Sequence, residues 1–350
     1  MRTKTFVLFL SCIVITSVFL IAFGSQRPSI QTIVSETHKQ LNNLKNFKEN
    51  LENAESMRLV ADEKYLNLLG FTESPRLYPS EIWKNTSLPI VVTYVLGGQE
   101  QQGIGFIRNI AHFLPNHTIL VYNLGLGSYG LQMIQGHCNS SRCTVITFDY
   151  SAYPSHVEEE RLCAFRPLII QDALNKAGGV LFLENDQRLV TSRIEPLLQA
   201  ALKGGAVLSW ATHHATSSLT HPKMFDYFRT TAENFLFLRM VEMSRLLLYN
   251  TAEVHRELML PWVQCALTQD CIHPIGAQSA GCRFNKKPQY RYTGCHRYDG
   301  SAFNIVLGLH FHFDESCYIY QGHDVFFRKA TLDTEVSVAD SNTTDTMSGA

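Results

Sequence analysis

Beyond residue 88, short apolar runs rich in β-branched residues alternate with longer stretches in which apolar residues recur at helical spacing. The pattern predicts strands at 90–95, 118–124, 144–148, 179–184 and 206–210, and helices at 103–114, 129–135, 158–177 and 195–202. Buried strands separated by helices are typical of a mostly parallel sheet with helices on both faces. We therefore expect an α/β body over residues 89–330, followed by a disordered tail over 331–350.

The segment 25–88 has a different pattern, with apolar residues at helical spacing among Lys, Glu, Asn and Gln. No proline interrupts the run from Ser29 to Ser74, so a long helix is expected there. It is either a weak coiled coil, which would make the protein a homo-oligomer, or a solvated helix; the poor heptad phase favours the second. We interpret 25–88 as a helical stem that separates the body from a membrane.

The N-terminus predicts that membrane. Phe6 to Phe23 is an uncharged apolar run of 18 residues preceded by Arg2 and Lys4. Roughly 20 such residues span a bilayer, and basic flanks stay cytoplasmic. We therefore expect residues 1–24 to be the cytoplasmic tail and signal anchor of a single-pass type II protein of the Golgi or endoplasmic reticulum. The alternative is a cleaved signal peptide and a secreted protein, because Ala22-Phe23-Gly24 resembles a cleavage site.

Cysteines and sequons agree with a secretory compartment. Cys12 lies in the apolar run, and the remaining cysteines form an even set of eight, as an oxidising compartment favours. The spacings of Cys138/Cys143 and Cys265/Cys271 suggest local disulfides, and no Cys-x-x-Cys pair supports the competing zinc site. Acceptor sequons for N-glycosylation occur at Asn85, Asn116, Asn139 and Asn342.

Charge and missing motifs exclude several classes of function. The net charge is −1 and the isoelectric point is near 6.9, so the chain has no basic field for nucleic acid. No Gly-x-Gly-x-x-Gly sequence follows the first predicted strand, and no Walker loop is present. NAD(P) and P-loop chemistry are therefore disfavoured.

The predicted strand 179–184 ends in two carboxylates, Glu184 and Asp186, separated by Asn185. Two hard oxygen ligands at the end of a buried strand suit a divalent cation that holds a nucleotide diphosphate. The alternative is an ordinary polar turn after a strand. If both residues bind one cation, strand geometry must continue to 186 so that the two carboxylates share a face.

Other candidates lie far from this motif in sequence. Asp299 opens a predicted helix, where it is either an N-cap or a pocket residue that acts as a base or orients an acceptor hydroxyl. Arg166 either contacts phosphate or pairs with the acidic run 158–160. His323 either completes a cation shell or is a surface histidine. Thr93, in the first strand, is assigned with Arg166 to the donor nucleotide, and Asn304 with Asp299 to the acceptor side.

Several segments together resemble a secretory-pathway family of unknown function that is related to the family-eight, glycogenin-like glycosyltransferases. The matching segments are 121–126, 148–150 with 153–154, 164–170, 220–222, 248–251, 262–267 and 294–299. The resemblance implies a GT-A fold, a nucleotide-sugar donor, Mn²⁺ or another divalent cation, and a glycan or protein acceptor. Glycogenin-type enzymes carry Asp-x-Asp, whereas this chain has Glu184 and Asn185 at the first two positions.

The resulting hypothesis is a glycosyltransferase. Glu184, Asp186 and His323 would hold the cation, Arg166 and Thr93 would contact the donor, and Asp299 and Asn304 would act at the acceptor side. The first alternative is a catalytically inactive lumenal binding or scaffold protein on the same fold, in which neither carboxylate of the acidic motif binds metal. The second is a secreted protein that recognises glycans or proteins outside the cell.

Overall fold

The computed structural model describes residues 14–16, 58–73, 75–285, 287–323 and 325–330. The described residues from 58 onward belong to one compact unit. Its helices are α1 (Glu63–Leu68), α2 (Glu100–Phe113), α3 (Ser128–His137), α4 (Phe165–Ala177), α5 (Glu195–Lys203), α6 (Pro222–Tyr227), α7 (Leu260–Leu267, preceded by a π-helix at Val254–Met259), α8 (Gln269–Ile272) and α9 (Asp299–His310). The strands are β1 (Ile90–Val95), β2 (Ile119–Asn123), β3 (Cys143–Thr147), β4 (Gly179–Leu183), β5 (Gln187–Leu189), β6 (Val207–Ala215), β7 (Arg239–Tyr249) and β8 (Phe327–Lys329).

In the described part of the chain, six strands form the central sheet in the order β3-β2-β1-β4-β7-β6. The first four are parallel neighbours, and β7 runs antiparallel to β4 and β6. The predicted mostly parallel sheet is therefore confirmed. The strand order reverses between β1 and β4. Because crossovers between parallel strands are almost always right-handed, we expect α2 and α3 on one face of the sheet and α4 on the other. Strands β5 and β8 form a separate antiparallel pair.

The continuous apolar runs of the sequence are the innermost strands. Every residue of β1 and β4 is buried. A parallel strand covered by helices on both faces has no polar side, so its sequence does not alternate. The predicted strands 90–95 and 179–184 thus became the centre of the sheet.

The predicted helix 158–177 begins later than expected, at Phe165. The residues before it form short 3₁₀ turns, and Cys163 adopts a left-handed φ of 50°. Pro167 lacks a backbone N–H and is tolerated in the first turn of a helix but not in its interior. It lies in the first turn of α4, so the proline marks the start of the helix.

Strands on the far side of the sheet were not fully predicted. β6 extends to Ala215 rather than ending at 210, and its pairing with β7 shifts register between Ser209 and Ala211 and again before Ala215. Such irregularities break the period of two on which strand prediction depends. β7 and β8 were missed for a related reason, since β7 mixes buried and half-buried positions and β8 is very short.

The predicted stem 25–88 differs from the structure over its described residues, 58–73 and 75–88. The helix there is only Glu63–Leu68, and Tyr65, Leu69 and Ile82 are buried in the main hydrophobic core. The Tyr78 hydroxyl also donates to a backbone carbonyl of α4 at 2.9 Å. These residues therefore belong to the folded body. The rest of the stem, with any role in oligomerisation, and the tail 331–350 lie outside the described residues.

The signal anchor stays a prediction. Among the described residues, no helix is long and apolar enough to cross a bilayer. Of the apolar run 6–23, only residues 14–16 are described.

Cysteine pairing follows the expectation for the described residues. Both local bridges form, Cys138–Cys143 and Cys265–Cys271, and a third joins Cys282 to Cys295. Cys163 and Cys317 are the free cysteines of the described chain. Most of the eight cysteines beyond the apolar run are therefore paired, as predicted.

Candidate functional site

The carboxyl ends of β1 and β4 meet where the strand order reverses. In open α/β sheets, ligands bind outside the carboxyl ends of the strands at such a switch point. Tyr94 lies near the end of β1, and its hydroxyl donates to Glu184 Oε1, just after β4, at 3.5 Å. Asn185 Nδ2 donates to the Tyr94 carbonyl at 3.0 Å. These bonds fix the end of β4 against β1 and make this the candidate site.

Arg166 joins the switch point to a distant part of the chain. Its Nη2 donates to Glu184 Oε1 at 2.7 Å, and its Nη1 donates to Asp299 Oδ2. The Arg166 and Asp299 side chains are 6% and 4% exposed, and Glu184 is 26% exposed. We call these three residues the buried cluster. Removing one partner of a buried ion pair leaves a charge that neither water nor protein compensates.

The charge states of the buried cluster follow from its burial. Burial raises the pKa of Asp299 to about 6, while the Arg166 guanidinium pulls it down, so the carboxyl is ionised at pH 7. Burial likewise raises the pKa of the neighbouring Cys163 thiol to about 11, against the same pull from Arg166. The thiol is therefore neutral and unsuited to act as a nucleophile.

In the described structure Arg166 and Asp299 contact each other. Asp299 is the first residue of α9, and the N-cap of that helix is Tyr298. Arg166 does not bind the acidic run 158–160, where Glu159 pairs with Arg161 instead. The Asp299 carbonyl accepts a hydrogen bond from Trp262 Nε1 at 3.0 Å, which anchors the start of α9 in the core.

Asp186 has a far more exposed partner than Glu184 has. Its Oδ2 is 3.0 Å from Lys329 Nζ, and its Oδ1 accepts from Gln187 Nε2 at 2.9 Å. Lys329 is 72% exposed and Asp186 is 17% exposed. The hydrogen bond to Asp186 is the main cause that raises the pKa of Lys329, and the charges of Glu184 and Glu242 add to it. We call Asp186 and Lys329 the exposed pair.

In this arrangement Glu184 and Asp186 do not fit a divalent cation. One Glu184 oxygen is bound by Arg166, and both Asp186 oxygens have partners. Displacing Arg166 would leave Asp299 buried without its counter-ion. His323 is exposed, and the described residues contain no group of three His, Cys, Asp or Glu side chains that could hold a metal ion. The described structure therefore shows Arg166 and Lys329 where the sequence predicted a cation, and the chelating set stays a prediction.

Asn304 and Thr93 are placed in the interior. Asn304 is 1% exposed; its Oδ1 accepts from Val241 N at 2.7 Å and its Nδ2 donates to the Gly300 carbonyl at 2.8 Å. It ties α9 to β7 and offers nothing to an acceptor. Thr93 is fully buried in β1, and its Oγ1 has no hydrogen-bond partner within the described chain. Neither side chain therefore has exposed surface for a donor or an acceptor in this structure.

Sequence reasoning missed Tyr94, Asn185 and Lys329. Asn185 is 5% exposed, and its Nδ2 also donates to Gln99 Oε1 at 2.7 Å. A buried amide that joins two strand ends cannot be recognised from hydrophobic periodicity, because its partners are distant in sequence. Lys329 is brought to the site only by the pairing of β8 with β5.

The rim of the site beside β1 and β2 is made of glycine-rich loops. A Cβ built on Gly98, Gly125 or Gly127 would meet no atom within 4 Å, so the space beside these backbones is open. Asn123 Oδ1 fixes the second loop by accepting from Gly125 N at 3.1 Å and Leu126 N at 2.7 Å. The edge therefore combines a hydrogen-bonded loop with open space beside the glycines.

A family model supports the resemblance over part of the chain. Residues 34–171 match a family described as a protein of unknown function, DUF1647. The match covers less than half of the 350 residues and includes β1 to β3 and the Arg166 segment. A comparison with curated protein sequences finds no match.

The solved structures that align with this chain include sugar transferases. An active-site mutant of LgtC aligns at 9% identity and a TM-score of 0.32, with 46% of this chain and 57% of that chain covered. Galactosyltransferase LgtC with donor and acceptor sugar analogs aligns at 10% identity and a TM-score of 0.35, with 63% of this chain and 70% of that chain covered. Apo mouse xyloside xylosyltransferase 1 aligns at 10% identity and a TM-score of 0.35, with 66% of this chain and 83% of that chain covered. This chain thus spans little more than half of the first of these, and TM-scores this low carry no argument about activity.

Proposed function

We propose that this protein binds a nucleotide-sugar at the carboxyl edge of its sheet and transfers the sugar to a glycan or protein acceptor. The observation that carries the proposal is the convergence of Tyr94, Glu184, Arg166 and Asp299 at the switch point between β1 and β4. Ligands of open α/β sheets bind at this position. The sugar-transfer chemistry itself rests on the family resemblance of the sequence. We further propose that the protein is anchored by residues 6–23 in the Golgi or endoplasmic reticulum, with its body in the lumen.

The proposed site offsets the charge of the donor diphosphate with a side chain. Lys329 is 72% exposed, so its ammonium can turn from Asp186 toward a bound phosphate without disturbing the core. Arg166 holds Glu184 and Asp299 in place and keeps the floor of the site rigid. Stabilising the negative charge that develops on a departing diphosphate is the main requirement of such a transfer.

A binding test in the presence and absence of metal addresses this proposal. Thermal unfolding of the full-length protein is followed with UDP, GDP and their sugar conjugates, in EDTA and in Mn²⁺. A ligand at 100 times its Kd stabilises the folded state by about 2.7 kcal/mol. We expect this increase in EDTA for one nucleotide class. An increase that requires Mn²⁺ would show that a cation, rather than Lys329, offsets the charge of the diphosphate. No increase with any nucleotide would overturn the proposed function.

A matched pair of variants assigns the role of Lys329. Lys84 forms an exposed ion pair with Glu81 at 2.8 Å and is 68% exposed, so it resembles Lys329 in setting but lies before β1. We expect Lys329→Met to weaken nucleotide binding about tenfold or more, a difference of about 1.4 kcal/mol. Lys84→Met should leave binding unchanged.

One observation favours a second candidate, a binding protein without turnover. Both carboxylates of the buried cluster are paired with Arg166, and a general base would have to take up a proton beside that positive charge. A radiolabelled nucleotide-sugar separates the candidates. Release of sugar to acceptor or to water indicates a transferase, whereas saturable binding without release indicates the binding protein.

A further inference from the structure

We propose that Asn85, Asn116 and Asn139 carry N-linked oligosaccharides, and that these glycans occupy the edge of the sheet opposite the candidate site. The inference is independent of the proposed sugar transfer. It rests on where the fold places three sequons that are far apart in sequence.

Each of the three asparagines precedes a different parallel strand. Asn85 precedes β1, Asn116 lies between α2 and β2, and Asn139 lies between α3 and β3. These strands are neighbours in the order β3-β2-β1 and run in the same direction. Their amino ends therefore meet at one edge, which we call the amino edge. The length of a strand, roughly 15–20 Å, separates it from the carboxyl edge.

Local contacts keep these asparagines at the surface. All three are exposed, as are Ser87 and Ser141, the hydroxyl residues of two of the sequons. Arg142 Nη1 donates to the Asn116 carbonyl at 2.7 Å, which fixes that turn beside the Cys138–Cys143 loop that contains Asn139. A glycan is bulky and must stay in solvent after folding, and exposed turns meet this requirement.

The carboxyl edge has no such site. Every Asn-x-Ser/Thr sequence of the chain lies either before one of these strands or at Asn342, outside the described residues. The glycine loops and the switch point are thus left bare while the opposite edge is covered. Glycans in this arrangement would shield the body without obstructing a ligand.

The modification itself needs a co-reactant from the cell. One hydrogen on the asparagine Nδ2 is replaced by C1 of the first sugar, with a lipid diphosphate-linked oligosaccharide as donor. The lipid diphosphate leaves with the pair of electrons of the broken C–O bond, and the amide proton passes to the transferring enzyme or solvent.

The fold offers a matched control at the opposite edge. Asp149 follows β3, is exposed, and its Oδ1 accepts from Ser151 N at 3.0 Å and Ser151 Oγ at 2.6 Å. Asn85 Oδ1 accepts from Ser87 N and Oγ at the same 3.0 and 2.6 Å. Asp149→Asn therefore creates a sequon with the geometry of a native one, but on the carboxyl edge.

The experiment expresses the full chain with Asn342→Gln in cultured animal cells and removes N-glycans enzymatically. We expect a shift in electrophoretic mobility that corresponds to three glycans. Each of Asn85→Gln, Asn116→Gln and Asn139→Gln should lose one glycan, and Asp149→Asn should gain a fourth. Peptide mass spectrometry of the unmutated chain checks each site without any variant. If one of the three asparagines is unmodified, the proposal is overturned. If Asp149→Asn is modified in the same cells, the chain has entered the lumen, and the failure then lies in the unmodified site rather than in the compartment. A chain without any glycan would overturn both the proposal and the lumenal location.

Discussion

The two acids of one short motif lie in two different electrostatic environments. Glu184 belongs to the buried cluster with Arg166 and Asp299, whereas Asp186 belongs to the exposed pair with Lys329. The first arrangement joins α4, β4 and α9 inside the core, and the second joins a turn to a strand at the surface. The difference teaches that one acid is held in the frame of the site, whereas the other is paired with an exposed lysine that can turn toward a ligand.

The largest expected effect tests the buried side of this comparison. Arg166→Met should lower the free energy of unfolding by about 3–5 kcal/mol, because it leaves Glu184 and Asp299 without their counter-ion. Urea unfolding of the full-length protein measures this loss. A second variant that combines Arg166→Met with Asp299→Leu should recover part of it. A loss below about 1 kcal/mol for the single variant would mean that the cluster is no more important than a surface ion pair.

The pH dependence of stability is a second test of how burial affects charged groups near the buried cluster. His296, three residues before Asp299, is fully buried, and burial lowers its pKa to about 3. Between pH 6.5 and pH 3 the unfolded chain gains a proton that the folded protein does not accept. The contribution of this histidine to the free energy of unfolding is therefore complete above pH 6.5. It is lost as the pH falls, by about 1.4 kcal/mol for each pH unit.

His296→Gln provides the control for that titration. Nε2 of His296 lies 3.1 Å from the Ile272 carbonyl, and Nδ1 accepts from His221 N at 3.1 Å; a glutamine amide can donate and accept but does not titrate. The variant should be less stable at pH 7 yet show a shallower loss between about pH 6 and pH 4. An unchanged slope would show that other groups cause the acid sensitivity.

A smaller effect on stability is expected from the exposed pair. Lys329→Met should change the free energy of unfolding by about 0–1 kcal/mol, since exposed ion pairs contribute little. Its effect should appear in nucleotide binding instead. A stability loss as large as that of Arg166→Met would erase the distinction between the two halves of the motif.

The smallest effect on stability is expected from Asp149→Asn, which keeps the local hydrogen bonds. When glycosylated, this variant should lose nucleotide binding because the glycan stands at the carboxyl edge, whereas the unglycosylated form from bacteria should bind normally. Retained binding with the glycan in place would move the ligand away from this edge.

The order of elements was predictable because the innermost strands are continuous apolar runs. The runs at 90–95 and 179–184 became β1 and β4, and the switch between them explains why Glu184 lies at the candidate site. The metal assignment stays a prediction, because an acid-x-acid sequence specifies two carboxylates but not their counter-ions. Arg166 and Lys329 reach these acids from other elements.

The sequence by itself determined the alternation of strands and helices, the local disulfides and the sequons, since each depends on neighbouring residues. Only the tertiary structure decided which charges meet: the contact of Arg166 with Asp299 spans 133 positions, and the pairing of β5 with β8 brings Lys329 to Asp186. It also gathered Asn85, Asn116 and Asn139 on one edge, through the parallel order β3-β2-β1. The physical reason is that side-chain electrostatics act through space, whereas periodicity and spacing report only what is near along the chain.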